Sequence, residues 1–316
     1  MLKHMLIAVL IPAAVLTLAA DTKSQQTQKP YTSFQTPTPY RADHDIRTDA
    51  VIVYSDDERT KTWADQGYTV QTMYGFRTYD AYIKDHRDEV QTMADGTLHT
   101  CGPGSYYMVP TPNRIKAAVD YFTNAINNGT SAVIPEEPEF FAITGYSDSF
   151  KKAWQQHYNE PWQDQTTSIE ARYKSERLKA RMEYDMIKAI FDSAEKQKPS
   201  VKRMVAVHSP VSYFGWGIIY PHYKCLTLPN LQEIIGQVWT GTARTPCTYA
   251  GITAERTFEN AFLEYSSLYN LTRGTDKRMW FLMDPLEDNP DRTMEDYHTN
   301  YEKTLVASLL FPEVDA

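Results

Sequence analysis

Short runs of apolar and β-branched residues alternate along the chain with longer stretches in which apolar positions recur every three or four residues. The first kind has the length of strands, and the second has the repeat of helices with one buried face. Seven runs read as strands: Asp49–Tyr54, Tyr68–Gly75, Ser105–Thr111, Ser131–Pro135, Lys202–Ser209, Ile234–Thr240 and Arg278–Asp284. Helical patterns follow at Asp80–Thr92, Asn113–Asn127, Ser168–Gln197, Ala254–Leu271 and Met294–Leu310. Largely apolar strands alternating with amphipathic helices suit a parallel sheet covered on both faces. The order predicts a (β/α)8 TIM barrel over residues 48–316, truncated before the eighth strand that closes such a barrel.

The first residues break this pattern. Lys3 and His4 precede an apolar run from Met5 to Leu18, then Ala19 and Ala20. That is the form of a signal peptide over residues 1–20, and the run is too short for a comfortable membrane span. The expected product is secreted or periplasmic, with no membrane attachment after cleavage. Residues 21–47 are rich in Gln, Thr, Pro and Tyr without periodicity, which predicts a linker or N-terminal arm. An oxidising compartment lets Cys101, Cys225 and Cys247 form at most one disulfide, and their spacing does not choose the pair.

Composition narrows the chemistry. A net charge of −8 leaves no basic field to neutralise phosphates, which excludes nucleic acid as a partner and favours a neutral or cationic ligand. With 22 Tyr among its aromatics, the chain has rings enough to stack on sugars, although a ring-rich core would use them equally well. No GxGxxG, P-loop or GxSxG motif occurs, so neither a nucleotide cofactor nor a serine nucleophile is expected.

Reacting groups of such barrels sit where strands end at the C-terminal face. Strand four, Ser131–Pro135, delivers Glu136, Glu137 and, after Pro138, Glu139. Strand seven delivers Asp284 and, three residues on, Glu287. Glycosidic cleavage commonly takes two carboxyls, one protonating the leaving oxygen and one acting as nucleophile or base. Neighbouring acids also raise one another's pKa into a useful range. Alternation keeps Glu136 and Glu137 from facing one pocket while strand geometry continues. Either acid of strand seven would serve equally as a cap for the helix that follows, from Thr293. Other strand ends offer a substrate-binding wall: Asp56, Arg77, His208, Tyr213, Trp216, Trp239 and Arg244. Asp56 and Asp57 suit helix capping as well, and His208 suits a packed core position.

Pro135-Glu136-Glu137-Pro138-Glu139, followed by Gly145 to Trp154 and then Tyr158 and Pro161-Trp162, resembles the (β/α)8 glycoside hydrolases that carry the acid/base on strand four and the nucleophile on strand seven. Family 42 β-galactosidases are the nearest likeness. The resemblance implies an exported hydrolase of O-glycosidic bonds, acting on an oligo- or polysaccharide without a cofactor or metal. It implies Glu137 as acid/base and Asp284 or Glu287 as the second carboxylate. Two departures stand out. Glu136 replaces the asparagine usual before the acid/base, giving an acidic pair similar to that of substrate-assisted hexosaminidases, and Asp284 replaces a glutamate. These departures keep a catalytically inactive, carbohydrate-binding barrel in play. A metal-dependent hydrolase has less support, because His99, His208 and His222 do not sit at ligand spacing.

Overall fold

The computed structural model describes residues 31–54, 56–241, 245–284 and 292–314. The leader expected over residues 1–20 lies outside them. The core is one seven-stranded sheet, all neighbours parallel: β1 Ser33–Thr36, β2 Ala50–Val53, β3 Thr69–Gly75, β4 Ala132–Glu136, β5 Lys202–His208, β6 Glu233–Trp239 and β7 Arg278–Asp284. Strand order in the sheet follows chain order, as repeated βα units require. The described residues thus supply seven strands of a (β/α)8 barrel, curled, with helices between.

The total of seven matches the sequence reading, but its membership differs. Ser33–Thr36, inside the stretch expected to be a linker or arm, is the first strand and pairs with Ala50–Val53. Ser105–Thr111 is not a sheet strand; only Ser105–Tyr107 is extended, and it pairs antiparallel with Arg77–Tyr79 above β3. β1 is missed because Ser33-Phe34-Gln35-Thr36 carries one strong apolar residue, too little for a pattern. Strands four to seven keep their rank.

Alternation sorts the sheet residues into two cores. Ile52, Met73, Ala132, Ile134, Met204, Ala206, Ile235 and Trp280 pack inside the curl. Val133, Val205, Val207, Ile234, Val238 and Met279 face outward against Phe122, Ile190, Phe191, Tyr265 and Leu268 of the helices. The main helices are Pro112–Asn127, Ile169–Gln197, Thr257–Thr272 and Met294–Ser308, close to the predicted bounds. Three of the four starts follow from capping: the side chains of Thr111, Ser168 and Thr293 accept from backbone N–H groups in the first turn. Thr293 and Asp296 form a reciprocal capping box, so Thr293 and not Asp284 is the N-cap of that helix.

The three cysteines are unbridged; Cys225 is buried, Cys247 exposed and Cys101 intermediate. Among the described residues no helix is long and apolar enough to cross a membrane.

Candidate active site

The inward phase of the strands decides which side chains meet at the mouth. Counted in twos from the inner core, Ile134 leads to Glu136, Ala206 to His208, Ile235 to Gln237 and Trp239, and Leu282 to Asp284. Tyr54, just past β2, falls in the same layer and its hydroxyl donates to Glu136. Gly75 is the register partner of Glu136 on β3, and a Cβ there would stand 3.2 Å from Glu136 Oε2. Glycine therefore makes room for the carboxyl. Burial first, and the charge of Glu137 second, push the Glu136 pKa up to about 7.

Glu137 leaves the strand phase. Its φ of +44° is left-handed, a conformation that costs a side-chain-bearing residue about 1–2 kcal/mol and tends to occur at functional sites. Its N–H still reaches Ala206 O at 3.0 Å, while the side chain swings to the mouth. Oε2 is ion-paired with Arg77. Oε1 accepts from His208 Nε2 at 3.0 Å and Gln237 Nε2 at 3.2 Å. Burial alone would raise the Glu137 pKa, but His208 and Arg77 outweigh it and hold the pKa below the ordinary carboxylate value. Burial likewise disfavours a charged His208, yet the hydrogen bond and charge of Glu137 raise its pKa. An ionised carboxylate only accepts, so Nε2 carries the hydrogen.

Glu139 follows two residues on, 6% exposed. Gln91, fully buried, donates to Glu139 O at 2.6 Å and accepts from Phe141 N at 2.9 Å, pinning the segment. Lys179, buried on the Ile169–Gln197 helix, donates to Ala142 O and Thr144 O just beyond. Burial, then the charge of Glu137, push the Glu139 pKa up to about 8.

One cavity of about 1110 Å³ brings Arg77, Glu137, Glu139 and His208 together with Asp284 and the rings of Trp216, Trp239 and Trp280. Trp216 stands 4.9 Å from the His208 ring and 5.8 Å from Trp239. The cavity continues to the sheet edges, where Tyr31 meets Trp280 edge to face at 5.3 Å.

Of the residues the sequence proposes, Glu137, Arg77, His208, Trp216, Trp239 and Asp284 line this cavity. Three do not. Glu136 is held behind the wall by Tyr54. Tyr213 is fully buried and packs its ring against His208 at 5.7 Å, supporting it. Asp56 ties the β2 loop to the end of the Pro112–Asn127 helix, accepting from Asn124 Nδ2 at 3.2 Å and, through its backbone O, from Asn128 Nδ2 at 2.6 Å. Asp57 caps the Glu58–Ala64 helix. Glu287 and Arg244 lie outside the described residues. Sequence reading assigns no role to Gln237 or Glu139. The inward phase of an otherwise apolar strand was the available signal for Gln237, whereas nothing local aims Glu139 at the cavity.

Glu137, Glu139 and His208 each offer one donor atom within 4.8 Å of the others. The set suits a divalent cation poorly. Both Glu137 oxygens already accept from N–H groups, His208 presents hydrogen rather than a lone pair, and the Arg77 cation is in the way.

No family model matches the sequence, and neither does any curated protein. Solved structures do match. A β-galactosidase from the psychrophilic Marinomonas ef1 aligns at 10% identity over 87% of this chain and 52% of its own, with a TM-score of 0.60. The β-galactosidase of the Antarctic haloarchaeon Halorubrum lacusprofundi aligns at 10% identity over 82% of this chain and 47% of its own, with a TM-score of 0.56. The fold is the barrel that glycoside hydrolases use. The chain spans about half the length of these two enzymes, and at this identity the match extends to the fold and not to membership of family 42. The glycoside hydrolase domain of PelA from Pseudomonas aeruginosa aligns more loosely, at 11% identity over 79% of this chain and 82% of its own, with a TM-score of 0.42.

Proposed function

We propose that this chain is a glycoside hydrolase that cleaves an O-glycosidic bond of an oligo- or polysaccharide in the cavity at the strand ends. The observation that carries the reading is the presence of Glu137, just past β4, and Asp284, at the end of β7, around one cavity with three indole rings. Two carboxyl groups about a sugar-sized hollow are what the reaction needs, and rings provide faces for pyranose stacking. Arg77 and His208 hold Glu137 ionised at rest, which suits it to act as the anionic partner at the anomeric centre or as a base. That differs from the resting acid expected from the family resemblance. Asp284, or Glu287 beyond it, is the second carboxylate. The leader-like pattern of residues 1–20 supports reading this as an exported enzyme acting outside the cytoplasm.

The test is turnover of a panel of aryl glycosides by the full chain, beside Glu137→Gln and Asp284→Asn. Each variant is expected to lose at least about 100-fold in kcat while retaining saccharide binding. Saccharide binding without turnover by the unaltered chain supports the inactive, sugar-binding barrel instead.

A further inference from the structure

We infer that Glu139, not Glu137, is the proton donor of this site. The inference rests on the glycosidase reading and adds a catalytic residue to it.

The argument is geometric. Donor atoms of Glu137 and Glu139 lie within 4.8 Å of one another, and both side chains line the cavity. Two buried carboxyls this close disfavour each other's ionisation, which favours one of them keeping its proton. The proton's place is fixed by the neighbours. Glu137 Oε1 accepts from His208 and Gln237, and its Oε2 accepts from Arg77, so a hydroxyl at Glu137 would meet three donors instead of acceptors. Those three donors bond to Glu137 and not to Glu139. Glu139 is left as the neutral member, buried and facing the hollow. Its high pKa agrees. The groups facing it from the surrounding elements are Glu137, Arg77, Tyr107, Glu183, His208 and Tyr213. Burial pushes the Glu183 pKa well above the ordinary carboxylate value.

In the step, the Glu139 O–H bond breaks and its proton forms a new O–H bond at the glycosidic oxygen. The bond from the anomeric carbon to that oxygen breaks, its electron pair stays on oxygen, and the leaving group departs as a neutral alcohol. One water then supplies hydroxyl to the anomeric carbon and returns a proton to the carboxyl pair. Arg77 and His208, both bonded to Glu137, ease the two negative charges present in between.

The experiment compares the full chain with Glu139→Gln and Glu137→Gln on glycosides of poor and activated leaving groups, 4-methoxyphenyl and 2,4-dinitrophenyl. A proton donor matters only where the leaving oxygen needs the proton. Glu139→Gln is therefore expected to lose about 100-fold or more in kcat/KM on the first and under about 10-fold on the second. The alkaline limb of its pH profile should vanish as well. Equal losses on both leaving groups, or a leaving-group dependence confined to Glu137→Gln, overturn the assignment. Carbon-13 NMR of labelled glutamate carboxyls keeps the two readings apart. A signal titrating near pH 8 that disappears in Glu139→Gln and persists in wild type supports the proton's place on Glu139 even where turnover is altered. Ordinary titration of Glu139 refutes it. Absence of turnover on every glycoside, with that signal present, fells the hydrolase reading while leaving the proton on Glu139.

Discussion

At the level of single residues, the acids of the mouth are tuned in opposite directions by what surrounds them. Glu137 has a folded pKa below the ordinary value of 4.5, so its stabilising contribution is present above that value and is lost as pH falls through the folded one. Glu136 and Glu139, with pKa values of about 7 and about 8, work the other way. They hold protons that the unfolded chain has already released, so their contribution is full below pH 4.5 and drains away as pH rises toward 7 and 8. The raised pKa of His208 adds to the same trend, its contribution being full below the ordinary value of 6.5 and lost above it. Urea unfolding should show stability falling by on the order of 3 kcal/mol from pH 5 to pH 7. The fall should be smaller in Glu139→Gln, and a midpoint that climbs over this interval contradicts the account. Local sequence shows three acids after an apolar strand; it does not show which one Arg77 reaches, because that cation arrives from another strand end 60 residues away.

At the level of elements, the sheet holds its register through small residues as much as large ones. Gly236 on β6 faces outward beneath Leu268 of the Thr257–Thr272 helix, and a Cβ there would meet Leu268 Cδ1 at 2.7 Å. The leucine occupies the space a side chain would need. Gly236→Ala is expected to cost about 1–3 kcal/mol through overcrowding. Because Leu268→Ala opens that space, the double variant should lose less than the sum of the two single losses. Simple additivity in thermal or chemical unfolding removes the proposed contact. Helix bounds were legible because caps such as Thr111, Ser168 and Thr293 are local signals. β1 was not legible, since Gln35 and Thr36 become strand residues by pairing with Ile52 and Val53 rather than through their own propensity.

For the described barrel as a whole, the chain's βα order places β1 and β7 at the two edges of the sheet, each paired on one side only. Central strands such as β4 and β5 are paired on both sides and covered on both faces. Native-state hydrogen exchange should therefore protect amides of Val133, Val205 and Ala206 most, and those of β1 least. Equal protection across all seven strands argues against open edges. The cavity also belongs to this scale, since its walls come from residues as distant in sequence as Tyr31 and Asp284.

The sequence alone determined the alternation of strands and helices, the rank of strands four and seven, and the arrival of acids at both of their ends. These follow from periodicity, capping and strand phase, which act within a few residues. Tertiary structure decided that Ser33–Thr36 is a strand and that Asp56 and Tyr213 serve the scaffold. It also decided that a left-handed turn at Glu137 carries its carboxyl out of phase, toward Arg77 and His208. Charge state depends on burial and on partners brought from remote strands, and those are products of the assembled sheet rather than of any stretch of chain.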